Sequence, residues 1–240
     1  METVYMESIH LTKKHNLQTI FIVIILLLGG IVQLSAQNIT TAASFFQSVS
    51  EYYGTIRDYE ATMNITAGRS QMQGQVSFKR PNLLRIDFSN PKEQVILFNG
   101  DTLTIHLPGI SSNLKQSVSS SSDQAGMNLA TPQGLALLSR YYSVAYEVGQ
   151  DPVPLSESNP EQVIKLILYP RNSSEGFRRI KLAIVPETKL IRQVEALTTQ
   201  GQTFVFYFYN YSLNQNIPDQ RFVYDAPSDA NNFNNFLFSE

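Results

Sequence analysis

Cysteine and tryptophan are missing from this chain, and charge is scarce. Among its 240 residues there is no Cys and no Trp, and only 16% are Asp, Glu, Lys or Arg. Without cysteine there is no disulfide framework and no thiol behind a leader to carry a lipid anchor. Without tryptophan the usual stacking platform for sugars is missing. A formal net charge of −2 argues against the basic surface that nucleic acid requires, so no nucleic-acid partner is expected. Histidine is equally sparse: His10 and His15 fall near the amino terminus, leaving His106 alone in the rest of the chain. With no Cys and one His, no metal cluster, cofactor or thiol nucleophile is expected. His106 alternates with Ile105 and Leu107 in "TIHLP", which reads as a solvent-facing strand residue.

What is present begins with an export signal. Lys13 and Lys14 precede an apolar run from Ile20 to Leu28, then Gly29, Gly30 and "QLSAQ". This pattern reads as a signal peptide over residues 1–36, cleaved near Ala36. Counted through the glycines to Leu34, the run approaches the roughly 20 residues of a membrane span, so a retained anchor is the alternative. Residues 37–240 are then one exported domain. Four Asn-x-Ser/Thr sequons, such as Asn64-Ile65-Thr66, have meaning only in a eukaryotic secretory route.

Phe45, Val49, Tyr52 and Tyr53 recur at helical spacing behind Thr40 and Thr41, predicting an amphipathic helix over Ala42 to Tyr53 that Gly54 ends. The period then becomes two. Tyr59, Ala61, Met63 and Ile65 alternate with polar residues, as do Met72, Gly74, Val76 and Phe78, with a turn near Gly68. Leu84, Ile86 and Phe88 follow against Arg85 and Asp87. "NPKEQ" turns into Val95 to Phe98, and the Asn99-Gly100 hairpin leads to Leu103, Ile105 and Leu107.

The serine-rich segment 111–126 interrupts this meander and reads as a mobile loop or poorly ordered edge. Thr131-Pro132 reads as a cap and first turn of a short helix through Leu135, Leu138 and Tyr141. Strands return at Val144 to Val148, Val163 to Tyr169, Phe177 to Ile184, Leu190 to Leu197, Thr203 to Tyr211 and Phe222 to Tyr224. About ten or eleven strands and two or three helices predict a mainly β fold: a large curved antiparallel sheet, or incomplete β-barrel, with a helical lid. A barrel that wide is not filled by its inward side chains, so a hydrophobic cavity is expected.

Catalytic motifs are absent: there is no G-x-S-x-G, Walker loop or H-E-x-x-H. Asp87, Glu93, Asp101 and Glu195 are the carboxylates from which a glycosidase-like pair would have to come. The chain reads as a binding protein with no catalytic residue.

The block "FKRPNLLRIDFSNPKEQVILFNGDTLTIHLP", with "IPDQRFVYDAP" near the end, resembles the periplasmic outer-membrane lipoprotein carriers, the LolA-like family. In that pattern an R-P step precedes an apolar strand, a proline-containing turn and an Asn/Asp-Gly hairpin. The resemblance implies a monomeric periplasmic carrier that takes acylated lipoproteins from an inner-membrane release complex towards an outer-membrane acceptor.

The resemblance also implies that Arg80, at the R-P position, latches the lid through hydrogen bonds in the empty state. The alternative is that Lys79 and Arg80 protect a strand edge. The expected acyl-chain wall is Met63, Ile65, Val76, Phe78, Leu84, Ile86, Phe88, Leu97, Leu103, Ile105, Phe204, Phe206 and Phe208. Ordinary core packing is its alternative. Absent tryptophan and the serine-rich insert depart from the family pattern. A lipid- or glycolipid-binding or envelope-stress-sensing domain of the same fold is the second functional reading, and a filled structural or adhesive β-domain the third.

Overall fold

The computed structural model describes residues 39–117, 132–173, 175–225 and 227–235. The expected signal peptide, most of the serine-rich segment and the Thr131 cap lie outside these residues.

Helix α1 (Ala42–Thr55) opens this part of the chain, with the Thr41 hydroxyl accepting a hydrogen bond from the Ser44 amide at 3.1 Å. It runs past Gly54 and caps at Ile56: glycine merely permits a stop, and here burial of Ile56 carries the chain straight into the sheet. The strands that follow are β1 (Asp58–Ala67), β2 (Ser70–Lys79), β3 (Leu83–Asn90), β4 (Val95–Phe98), β5 (Thr102–Leu107) and β6 (Ser112–Ser117). Helix α2 (Pro132–Tyr141) then leads into β7 (Tyr142–Tyr146), β8 (Val153–Ser156), β9 (Asn159–Pro170), β10 (Phe177–Ile184), β11 (Ile191–Thr198), β12 (Thr203–Leu213) and β13 (Asn231–Asn234).

These strands form one thirteen-stranded sheet in the order β13-β6-β5-β4-β3-β2-β1-β12-β11-β10-β9-β7, with β8 paired to β9. Among the described residues all pairings are antiparallel except β13 with β6. The two ends of the path, β13 and β7, do not meet, so the barrel is incomplete, as the alternation and strand count predicted.

Three expectations are corrected. Phe222 to Tyr224 is not a strand: Asp219–Phe222 is a 3-10 turn, and the last strand is β13, from an asparagine-rich stretch with no strand signal. Part of the serine-rich segment is ordered as β6, because strand β5 supplies a full ladder from Thr102 to Leu107 for Ser112–Ser117 to complete. Lys79 and Arg80 do not guard an edge, since β2 lies between β1 and β3.

In antiparallel pairs, directly opposed residues share a face, so the register sorts every side chain. Across the inner face, beneath the helices, run Tyr59, Ala61, Met63 and Ile65 of β1, opposed to Phe78, Val76, Gly74 and Met72 of β2. Gly74 is required there, because a Cβ would stand 2.6 Å from the Asp87 carbonyl. The core joins this face to Phe45, Phe46, Val49 and Tyr53 of α1 and Leu135 and Leu138 of α2.

Candidate functional site

The helices seal one half of the inner face. Leu166 and Leu168 of β9, Ile180 and Leu182 of β10 and Val194 of β11 are essentially inaccessible. Tyr53 fixes α1 to this half: its hydroxyl accepts from the Ile191 amide at 3.1 Å, while Tyr211 donates to the Ile191 carbonyl at 2.9 Å. Burial pushes the Tyr53 hydroxyl up to about 12, against the partial relief of that backbone hydrogen bond. Tyr59 is raised further by burial, then by neighbouring Tyr53, and its ring packs, tilted, 5.7 Å from that of Tyr211 and 5.3 Å from that of Phe78.

On the other half the same face opens only in part: Phe88, Phe98 and Leu103 of β3, β4 and β5 are buried, and a neighbouring row is not. A row in lateral register crosses it: Val76, Ile86, Ile96, Ile105, Leu114 and Phe233, one residue from each of β2, β3, β4, β5, β6 and β13. Exposure climbs along the row, from 3% at Val76, through half-buried Ile86, Ile96, Ile105 and Leu114, to 51% at Phe233. Ile86 and Ile96 pack against the main core, but Ile105 and Leu114 are not part of it. No member of the row is ionisable, so it offers only apolar contact. From Ile86 to Leu114 are three strand steps, about 14 Å at ~4.8 Å each.

The expected wall residues fall as follows. Met63, Ile65, Val76, Phe78, Phe88, Leu103 and Phe208 are on the inner face and buried, while Leu84, Ile86, Ile105, Phe204 and Phe206 are on it and half-buried. Phe204 also lines a pocket of about 740 Å³ at the rim made by the β1–β2 and β11–β12 turns. Leu97 is the exception. Its register with Arg85 and Thr104 puts it on the outer face, in a cluster with Ile217 and Phe222. "VILF" is apolar throughout, so periodicity could not choose its face, and Ile96 is the member that joins the row. Leu114 and Phe233 were missed because serine- and asparagine-rich surroundings hide single apolar residues.

The outer face of the open half is held by a carboxy-terminal strap, residues 217–225 between β12 and β13. Arg221 bonds Ser77 Oγ at 3.2 Å and pairs with Asp87, while Arg85 grips Asp87 at 2.9–3.0 Å. Arg85 also donates to the carbonyls of Arg221 and Val223 at 3.0 Å. Partial burial works to raise the Asp87 carboxyl, but hydrogen bonds from Arg85 and Arg221 outweigh it and hold the group below the usual carboxylate range. Lys79 donates to the Ile217 carbonyl at 2.7 Å and pairs with Asp219; it is a staple for the strap.

His106 is buried, not solvent-facing. Its Nδ1 lies 2.8 Å from Asn113 Oδ1 and its ring 5.6 Å from Tyr224, because the strap covers the face that alternation alone leaves open to water. The glycosidase-like carboxylates are dispersed. Asp87 on β3 and Glu195 on β11 are four strand steps apart, on the order of 19 Å, and each is held by arginine. Glu93 and Asp101 sit in the turns before β4 and β5. Among the described residues no group of three or more His, Asp or Glu is placed to hold a metal ion.

Arg80 is exposed. Its amide donates to the Arg57 carbonyl at 2.9 Å, and among the described residues its guanidinium has no hydrogen-bond or ion-pair partner. It stands at the end of β2, on the loop leading to Leu84.

The family model for "Outer membrane lipoprotein carrier protein LolA" matches residues 65–225. The chain belongs to the LolA family. The two blocks of family resemblance, around β2–β5 and in the strap, are those joined by Lys79, Arg85, Asp87 and Arg221. An outer-membrane lipoprotein carrier protein of Haemophilus ducreyi is 23% identical over 220 residues, 91% of this chain and 95% of that protein. Its namesake in Pseudomonas aeruginosa is 21% identical over 174 residues, 72% of this chain and 77% of that one. An uncharacterized conserved protein from Thermus thermophilus shares the fold, with a TM-score of 0.52 at 13% identity over 78% of this chain and 98% of that one. Among the described residues no helix is long and apolar enough to cross a membrane.

Proposed function

We propose that this LolA-family chain is a periplasmic carrier that shields the acyl chains of lipoproteins on the open half of its inner face and moves them from inner to outer membrane. The observation that carries the reading is the row Ile86-Ile96-Ile105-Leu114, half-buried beside a core sealed elsewhere. Each methylene withdrawn from water is worth about 0.8 kcal/mol, so a lipoprotein does not leave a membrane unless something replaces the bilayer. A strip of branched aliphatic residues provides that replacement without a close fit, which lets the lipid be released again.

In this reading the amino-terminal segment is a cleaved export signal, and the monomeric domain receives lipoprotein from an inner-membrane release complex and delivers it to an outer-membrane acceptor. Arg80 is the latch. Its five donors satisfy several carbonyls at once, and its exposed position after β2 lets it engage a helix end when the site is empty and let go when a lipid tail enters. The protein performs no catalysis and needs no cofactor.

Native mass spectrometry of the domain purified from membranes tests the proposal. Co-purified acylated protein supports the carrier. Free lipid in its place favours a lipid-binding or sensing domain, and a bare protein from cells with abundant lipoprotein ends the reading. Arg80→Leu is expected to fold normally and to lose transfer of lipoprotein between membranes; unchanged transfer removes the latch.

A further inference from the structure

The outer face of β12, β1 and β2 has a chemistry that acyl-chain binding does not use. Gln193, Tyr207, Asn64 and Gln73 lie in lateral register across β11, β12, β1 and β2. Three strand steps of ~4.8 Å place these groups along about 14 Å. Their side chains are organised by one another: Gln73 Nε2 donates to the Tyr209 hydroxyl at 3.1 Å, which donates to Asn64 Oδ1 at 3.1 Å. Beside them Asn64, Thr66, Gln71, Gln73, Asn90 and Tyr207 line a pocket of about 310 Å³, at the lower end of the ~300–1,000 Å³ of small-ligand sites. Tyr207 is 38% exposed over it.

We propose that this amide and tyrosine surface binds a neutral oligosaccharide. Apart from the tyrosine, no residue lining the pocket is ionisable, so neither an anion nor a cation finds a counter-charge. Six of the eight lining residues carry an amide or hydroxyl, Ile65 and Met72 being the exceptions, which is poor for a lipid tail and right for a polyol. Each Asn or Gln presents a carbonyl acceptor and two N–H donors on one plane, the arrangement that meets neighbouring hydroxyls on a sugar ring. Tyr207 supplies an aromatic face with a polar tip, filling the role that missing tryptophan leaves vacant. An added peptide strand is disfavoured, because β1 and β2 are interior strands whose backbone groups are already paired on both sides. Asn90 Nδ2 and Ser89 Oγ are engaged by the Gln71 and Gln73 carbonyls at 3.1 and 3.2 Å, which fixes the pocket wall. Since this surface lies across the sheet from the acyl-chain strip, it works independently of it: a glycan-bound carrier would be held near envelope polysaccharide while its inner face stays free.

The test is a titration of the full exported domain with a neutral β-linked N-acetylglucosamine tetramer and, in parallel, a glucan tetramer, read by NMR of the side-chain amide groups. Binding of either that shifts the Asn64 and Gln73 amide signals, and weakens at least tenfold in Tyr207→Ala, is the expected result. Gln73→Ala serves as a second variant, with the same loss expected. Fatty-acid binding by both variants should be unchanged, which separates this site from the carrier reading. No shift with either sugar at millimolar concentration overturns the proposal, as does binding that Tyr207→Ala and Gln73→Ala leave intact. So does a neutral asparagine-rich peptide that moves the same signals where the sugars do not.

Discussion

The two halves of the inner face are made of the same kinds of side chain and are treated differently. In the half built by β9, β10 and β11, Leu166, Ile180, Leu182 and Val194 share a core with both helices and are lost to solvent. In the half built by β3 to β6, Ile86, Ile96, Ile105 and Leu114 stay half-exposed in register. The first half stabilises the fold through burial. The second half keeps that stabilisation in reserve, because an apolar surface still in contact with water gains free energy when a lipid covers it. The outer side of the open half explains how it holds its shape without a full core: Arg85, Asp87 and Arg221 tie the carboxy-terminal strap to β3.

The sharpest way to break this contrast is to truncate one residue in each half. Leu166→Ala, in the sealed half, is expected to cost about 2–5 kcal/mol in denaturant unfolding, the range for cavities in packed cores. Ile105→Ala is expected to cost less than about 1 kcal/mol, since water already reaches the site, yet to weaken displacement of a bound fluorescent fatty acid several-fold. If both variants behave alike in both assays, the two halves are one core.

Asp87→Asn should come next, at about 1–3 kcal/mol, because two guanidinium groups lose their charged partner. The sign of its pH dependence follows from the direction of the shift. A carboxyl held below its ordinary 3.8 in the folded state contributes stability above that value and loses it as pH falls through the lowered folded value. Urea midpoints of the wild type should therefore fall more steeply than those of Asp87→Asn as the pH drops below about 4.

Much of this could be read in the residues themselves. Two-residue alternation in β1, β2 and β3 put Met63, Val76, Leu84 and Ile86 on one face correctly, because a strand with one polar side has only one register that buries the other. Alternation failed in "VILF", where every residue is apolar, and so Leu97 was assigned to the wrong face. It also failed at His106, whose burial depends on a strap more than a hundred residues later in the chain. Strand β13 could not be read at all: its propensity is poor, and it forms because β6 offers it an open edge. Local pattern specifies which face a residue takes; what covers that face is decided by tertiary contacts.

Smaller effects refine the picture. Tyr53→Phe removes the acceptor for the Ile191 amide and should cost about 1 kcal/mol. Because the Tyr53 hydroxyl is raised to about 12, its contribution is intact below its unfolded value of about 10 and is lost as pH climbs from there through 12, so alkaline unfolding should be shallower in Tyr53→Phe. Phe233→Ala, at the exposed end of the row, is expected within about 0.5 kcal/mol of wild type. It should nonetheless reduce fatty-acid affinity, less than Ile105→Ala does, as the graded exposure requires.

The most direct measurement is site-specific photo-crosslinking to an acylated lipoprotein from adjacent positions on opposite faces. A photoreactive amino acid placed at Ile96 or Ile105 should capture the lipid moiety, while the same group at Leu97 or Thr104 should not. Equal capture from both faces, or capture from Leu97 and Thr104 alone, would contradict an inner-face site for the acyl chains.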